Sequence, residues 1–186
     1  MLRRALVALG FALLLGAAGA TGRFVLTSPD LGPAHRFQRA QVLGRCGGGN
    51  RSPALRWHGA PPGTRGFALT LFDRDARGGA GWWHWVVLDL PAGTRGLASG
   101  AGTPASHRLP AGARQGRTSF GHAFYGGPCP PPGPAHHYVL TLYALRVARL
   151  PAPLPQDPAA IAAVLRREAL ATTTVIATYA RRGKAP

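Results

Sequence analysis

Acidic residues are scarce in this chain of 186 residues: six Asp and Glu stand against 22 Lys and Arg. Cysteine occurs twice and methionine once, and beyond the N-terminal leader no apolar run is long enough to span a bilayer. There is no His-Glu-x-x-His, no Gly-x-Ser-x-Gly around Ser119, and no glycine loop leading to Lys-Ser/Thr. These gaps argue against the common zinc protease, serine hydrolase and phosphate-loop nucleotide sites. The positive charge is nearly all arginine and is scattered, with no dense basic run. It predicts weak attraction to anions and no specific nucleic-acid site. The abundance of Ala, Arg, Gly and Pro also fits a GC-rich coding bias. No internal repeat is visible, and the length suits one domain plus a processing segment.

That segment is residues 1–20, "MLRRALVALGFALLLGAAGA". Arg3 and Arg4, an apolar stretch and the small residues Ala18-Gly19-Ala20 follow the order of a secretory signal cleaved after Ala20. The rival, a retained membrane anchor, is disfavoured by the short apolar run and its Gly/Ala-rich end. Removing the two leader arginines takes the formal charge from +16 to +14. Export would place Cys46 and Cys129 in an oxidising compartment, where an even count favours a bridge. Closing a loop of roughly 80 residues would contribute up to about 4–5 kcal/mol. Both cysteines lie in Gly/Pro-rich loops with little else to hold them; the alternative is two unrelated buried thiols.

Strand signals dominate the remaining chain. "RFVLTS" reads as a short first strand, and "FALTLFD" (67–73) alternates as a half-buried strand does. "WWHWVVLDL" (82–90) is aromatic and β-branched, which suits a central strand, and "HYVLTLYALRV" (137–147) is the longest signal. Residues 91–121 are turn-rich without a helical period. One helix is marked by Asp157 as cap, Pro158 at the first position, and Ile161, Val164, Leu165 and Ala169 on one face. "TTTVIATYA" then returns to strand. The sum is a mostly antiparallel sheet protein with a late helix.

Unusual polar residues stand at three strand ends. Asp73 and Asp75 close one strand, His84 lies among tryptophans, and His136, His137 and Tyr138 follow the proline run after Cys129. On an extended segment the two carboxylates would point to one side. A carboxylate beside imidazoles can fix a ring's tautomer and raise its basicity, so that protonated rings and a phenol donate to phosphate oxygens. A free carboxylate can take the ammonium end of a zwitterion. Each residue also has a plainer reading: His84 as a satisfied core histidine, Asp73 as a turn former, Tyr138 as an amphipathic sheet residue.

The stretches "DRDARGGAGWWHWVVLDLPAGT" and "LPAGARQGRTSFGHAFYGGPCPPPGPAHHYVLTLYAL" resemble the phosphatidylethanolamine-binding protein family, in particular its bacterial Raf-kinase-inhibitor-like branch. The likeness runs from "FVLTSPDL" to the closing helix and strand. Its specific part is the joint order of D-x-D-A, W-H-W and GGPCPPPG followed by H-x-Y. The resemblance implies an all-β fold over residues 21–186, an antiparallel β-sandwich with short peripheral helices and one C-terminal helix. It also implies a small anion pocket at one end of the sheets. Carried over by motif, the pocket residues are Asp73, His84, His136 and Tyr138, with Pro130 in the wall and Arg74, Asp75 and Arg77 at the rim. His137 alternates outward, and Asp75 supports the loop. Cysteines flank the same loops in exported relatives.

Two departures from the family pattern stand out. Arg74 and Arg77 occupy positions where prolines are usual, which should loosen the rim and add cationic donors. Ser119 replaces an acidic residue in "TSFG". Both push the site towards anions. The leading expectation is an exported, periplasmic or secreted, non-catalytic protein that binds a phosphate-bearing or other anionic ligand, such as a phospholipid headgroup, and needs no cofactor. The alternative is a protein-interaction module inhibiting a protease or kinase, and the least favoured is a metal-dependent hydrolase.

Overall fold

The computed structural model describes residues 22–104, 106–181 and 183; the leader and its cleavage site lie outside them. The strands are β1 (Val25–Thr27), β2 (Leu55–His58), β3 (Gly66–Asp73), β4 (Trp82–Pro91), β5 (Gly96–Leu97), β6 (Arg114–Gln115), β7 (His136–Leu145) and β8 (Ala169–Tyr179). The helix α1 covers Pro158–Glu168. Every strand pairing is antiparallel, in a five-stranded sheet of order β6-β4-β3-β7-β8 and a three-stranded sheet β1-β2-β5.

Alternation along β3, β4 and β7 divides the interior in two. Leu69, Leu71, Trp85, Val87, Leu140 and Leu142 face the small sheet and meet Leu26, Leu55 and Trp57. Ala68, Val86, Leu88, Tyr143 and Leu145 face the other way and pack under Leu150 and, from α1, Ile161 and Leu165. β3 is therefore covered on both faces rather than half-buried: even Thr70 is buried. The carboxylate of Asp89, at the end of β4, accepts from Arg114 Nε at 2.7 Å and from the Leu150 N–H at 2.9 Å. It thus ties the 110–115 loop and the approach to α1 to the sheet.

The helix begins where its cap dictates. Asp157 is extended, its Oδ1 accepts the Ala160 N–H at 2.8 Å, and Pro158 fills the first turn. Ile161 and Leu165 are buried and Val164 packs beside them. Ala169, placed on the helical face by its spacing, instead opens β8, where its side chain still touches the same cluster. The short strands β2, β5 and β6 carry too few residues to show a period, and their pairing comes from the sheets around them. Cys46 and Cys129 are bonded to each other across a separation of 83 residues, so they are not separate thiols.

Candidate functional site

β3 runs antiparallel to both its neighbours, so its last residue meets the first residues of β4 and β7. Asp73 is thereby in register with Trp82 on one side and Tyr138 on the other. Between Leu71 and Phe72 the β3–β4 register shifts. Trp85 pairs with Leu71 and Trp83 with Phe72, which leaves His84 as the extra residue of a bulge. Bulges re-aim side chains, and here the His84 ring meets the rings of Phe120 and Tyr138 edge-on, each at 5.2 Å between centroids. His136 and Tyr138, two apart on β7, share a face, with ring centroids 6.5 Å apart.

These side chains surround a recess of about 560 Å³. Asp73, His84 and Tyr138 are its buried members, His136 is part-buried, and Pro130 and Pro131 border it beside the disulfide. Asp75 and Arg77 also border it. Arg74 does not: its side chain is half exposed, with Nε 3.9 Å from Asp75 Oδ1. Arg45, Ala76, Gly78, Trp82 and Phe120 also border the recess and had no role in the sequence reading. Arg45 precedes a cysteine whose partner, Cys129, touches the recess, and that adjacency is the one signal that could have drawn attention to it.

The Asp73 carboxylate accepts three hydrogen bonds. Oδ1 accepts the N–H groups of Asp75 and Ala76 at 3.0 and 3.2 Å, and Oδ2 accepts from His136 Nδ1 at 2.8 Å. It folds the loop back and orients one imidazole. Asp75 lies beyond the end of the strand, where the backbone has turned helical, so the two carboxylates do not project alike. Asp75 Oδ2 accepts from the His137 N–H at 2.6 Å and from its Nδ1 at 2.8 Å. Burial alone would raise the Asp75 carboxyl, but these hydrogen bonds and the charges of His137 and Arg74 hold it below its ordinary value. Each aspartate thus takes one histidine of the adjacent pair.

Burial pulls the His84 imidazole down to about 4, only partly offset by the Gly126 carbonyl and the Asp73 charge. The ring is neutral near pH 7. Its Nδ1–H donates to the Gly126 carbonyl at 2.6 Å, so Nε2 is a hydrogen-bond acceptor. This corrects the expectation of protonated imidazoles as donors at this position. Tyr138 behaves oppositely: burial, then the nearby Asp73 charge, push its phenol upward, so it remains a donor. Its hydroxyl is buried close to the Asp73 carboxylate, whose pull adds to the upward shift, but it makes no hydrogen bond of proper distance and angle among the described residues.

Arg77 has φ of 52°, a left-handed conformation closed to proline, so its loop follows a path that a proline at this position cannot follow. Its guanidinium lies 4.3 Å above the Trp82 ring, a cation–π contact that holds the charge at the recess. Ser119 does not border the recess. Its Oγ accepts the Trp83 N–H at 2.9 Å and its N–H donates to the Trp83 carbonyl, so this substitution adds no donor for an anion. Among the described residues, no group of three or more His, Cys, Asp and Glu side chains is arranged to hold a metal ion. Nor is any described helix long and apolar enough to cross a membrane.

Residues 28–180 match the family model described as phosphatidylethanolamine-binding protein. The UPF0098 protein YbcL of Escherichia coli is 38% identical over 159 residues, covering 84% of this chain and 87% of that protein. The UPF0098 protein YbhB of the same organism is 42% identical over 127 residues, 67% of this chain and 80% of that protein. The crystal structure of Escherichia coli YbcL, described as a member of the mammalian PEBP family, superposes with a TM-score of 0.80, covering 86% of this chain and 99% of that one.

Proposed function

Because the chain belongs to the phosphatidylethanolamine-binding protein family, we propose that it is an exported, non-catalytic binding protein whose recess holds a phosphate-bearing headgroup. The observation that carries this reading is the buried Tyr138 hydroxyl without a well-formed hydrogen bond among the described residues, on the same recess as His84 and His136. A buried donor left unpaired costs about 1–3 kcal/mol, and an incoming phosphate oxygen would relieve that cost. His84 Nε2, an acceptor, accepts a hydrogen bond from the same headgroup: from the P–OH of a hydrogen phosphate or the ammonium of phosphoethanolamine. His136, oriented by Asp73, presents its Nε2. Arg77 and Arg45 supply positive charge at the opening, and Asp73 orients His136 from the wall of the recess.

The proline wall supports this role. Pro130 and Pro131 restrict the backbone next to the disulfide, so little ordering is left for the ligand to bring about. The disulfide and the basic-apolar-small leader support export together. Ser119 is tied to Trp83 and His84 Nδ1 to a carbonyl, so these two do not form a nucleophile–base pair. The test is titration of the disulfide-bonded protein with phosphoethanolamine and, separately, inorganic phosphate, followed by tryptophan fluorescence. Tyr138→Phe removes only the hydroxyl and should weaken binding by about tenfold, the worth of one hydrogen bond to a charged group. Joint replacement of His84 and His136 by Ala should abolish it. No saturable binding to the parent, or unchanged affinity in these variants, would overturn the reading.

A further inference from the structure

Arg45, Cys129 and Pro131 border the headgroup recess and also a second hollow, of about 500 Å³, completed by Cys46 and Arg181. The two hollows thus adjoin each other, with Arg45 and the disulfide in their common wall. Arg45 stands in the turn Gly44–Cys46, immediately before the bridged cysteine. Arg181 follows β8, and its backbone forms a parallel bridge with Pro132 that pins it against the proline run. Both cations are therefore carried by backbone that is itself fastened.

Neither pairs with a carboxylate among the described residues. All six acidic side chains of the chain are engaged elsewhere. Asp30 holds the Ala54 N–H, Asp73 and Asp75 hold the loop and the two histidines, and Asp89 holds Arg114. Asp157 caps α1 and Glu168 meets Arg167. Arg181 Nη1 reaches only the sulfur of Cys46, at 3.7 Å, and its buried Nε has no partner among the described residues. Two like charges beside one disulfide, one with an unpaired buried donor, form a site that an anion would relieve.

We infer that this hollow is a second anion subsite and that the ligand carries two linked phosphoryl groups, a diphosphate or its ester. The inference rests on the headgroup reading above. One phosphoryl group sits against Tyr138, His84 and His136; the other lies between Arg45 and Arg181, with Arg45 facing both. Linkage makes the second contact intramolecular, so the diphosphate gains affinity over a single phosphate.

The experiment is calorimetric titration with pyrophosphate and with orthophosphate at one pH and one ionic strength. Pyrophosphate should bind the parent at least tenfold more tightly. Arg181→Ala should erase that advantage and leave orthophosphate affinity unchanged, while Arg65→Ala, an exposed arginine at the far end of β3 from Asp73, should preserve it. Thermal melting checks that each variant folds; if Arg181→Ala melts early, Arg181→Gln carries the same test. Equal affinities for the two anions, or an advantage that survives loss of Arg181 or falls equally with Arg65, overturns the subsite alone. Failure of both anions to bind the parent overturns the subsite and the headgroup reading together.

Discussion

Acidification should destabilise this protein through His84 in a window set by its burial. The ring is 4% exposed, and burial takes it from 6.5 to about 4, against the partial offset of the Gly126 carbonyl and Asp73. In the unfolded chain the same histidine binds a proton below about pH 6.5, whereas the folded one refuses it until about pH 4. The unfolded state therefore holds more protons throughout that interval, and stability falls as pH falls. The contribution is complete above the unfolded value and is lost on the way down to the folded one. At about 1.4 kcal/mol per pH unit, the loss across the window is about 3 kcal/mol. Denaturant unfolding at pH 7.5 and 4.5 measures it, with His84→Gln as the comparison, because glutamine keeps an N–H for Gly126 and does not titrate. The parent should lose about 2–3 kcal/mol more than the variant between the two conditions. Asp75 and His122, whose values are also lowered, act alike in both proteins and cancel. Equal losses in parent and variant would refute the neutral, buried His84 on which the acceptor role depends.

Replacing Cys46 and Cys129 by serine releases a loop closed across 83 residues and should cost about 4–5 kcal/mol in guanidinium unfolding; a loss below about 1 kcal/mol would show that the loops are held by other contacts. The same variant should bind phosphoethanolamine more weakly, since Arg45 and Pro130 are no longer tethered across the recess. At Gly127 an added Cβ would lie 2.0 Å from the Gln41 carbonyl oxygen and 2.6 Å from the Leu43 nitrogen, both backbone atoms that cannot step aside. Gly127→Ala should therefore cost at least about 1–3 kcal/mol by overpacking, and a variant melting with the parent would refute that close approach.

The β-sandwich was largely legible in the sequence because its central strands are long and strongly patterned. "WWHWVVLDL" and "HYVLTLYAL" carry enough aromatic and β-branched residues to read as strands unaided, and Asp157-Pro158 starts the helix by local hydrogen bonding alone. The site was legible as a set of residues through a resemblance of motifs, and their convergence in one recess is a property of the fold. What the residues hold there was harder to read. The expectation of aligned carboxylates and protonated imidazoles assumed an extended chain after Asp73 and a solvated His84, whereas the backbone turns at Asp75 and the sheet buries the ring.

By itself, then, the sequence determined the local preferences: which segments extend, where α1 starts, that acidic groups are few, and which cysteines are available to pair. Those follow from side-chain shape and neighbouring backbone, which act over a few residues. Only the tertiary structure decided that Asp73 spends its oxygens on His136 and its own loop, and that a bulge re-aims His84. It likewise left the Tyr138 hydroxyl without a well-formed hydrogen bond among the described residues and set Arg45 and Arg181 beside one disulfide. These depend on register and burial between separate segments, as far apart as the 63 residues between Asp73 and His136, where the protonation state of a ring and the freedom of a carboxylate are fixed by what happens to surround them.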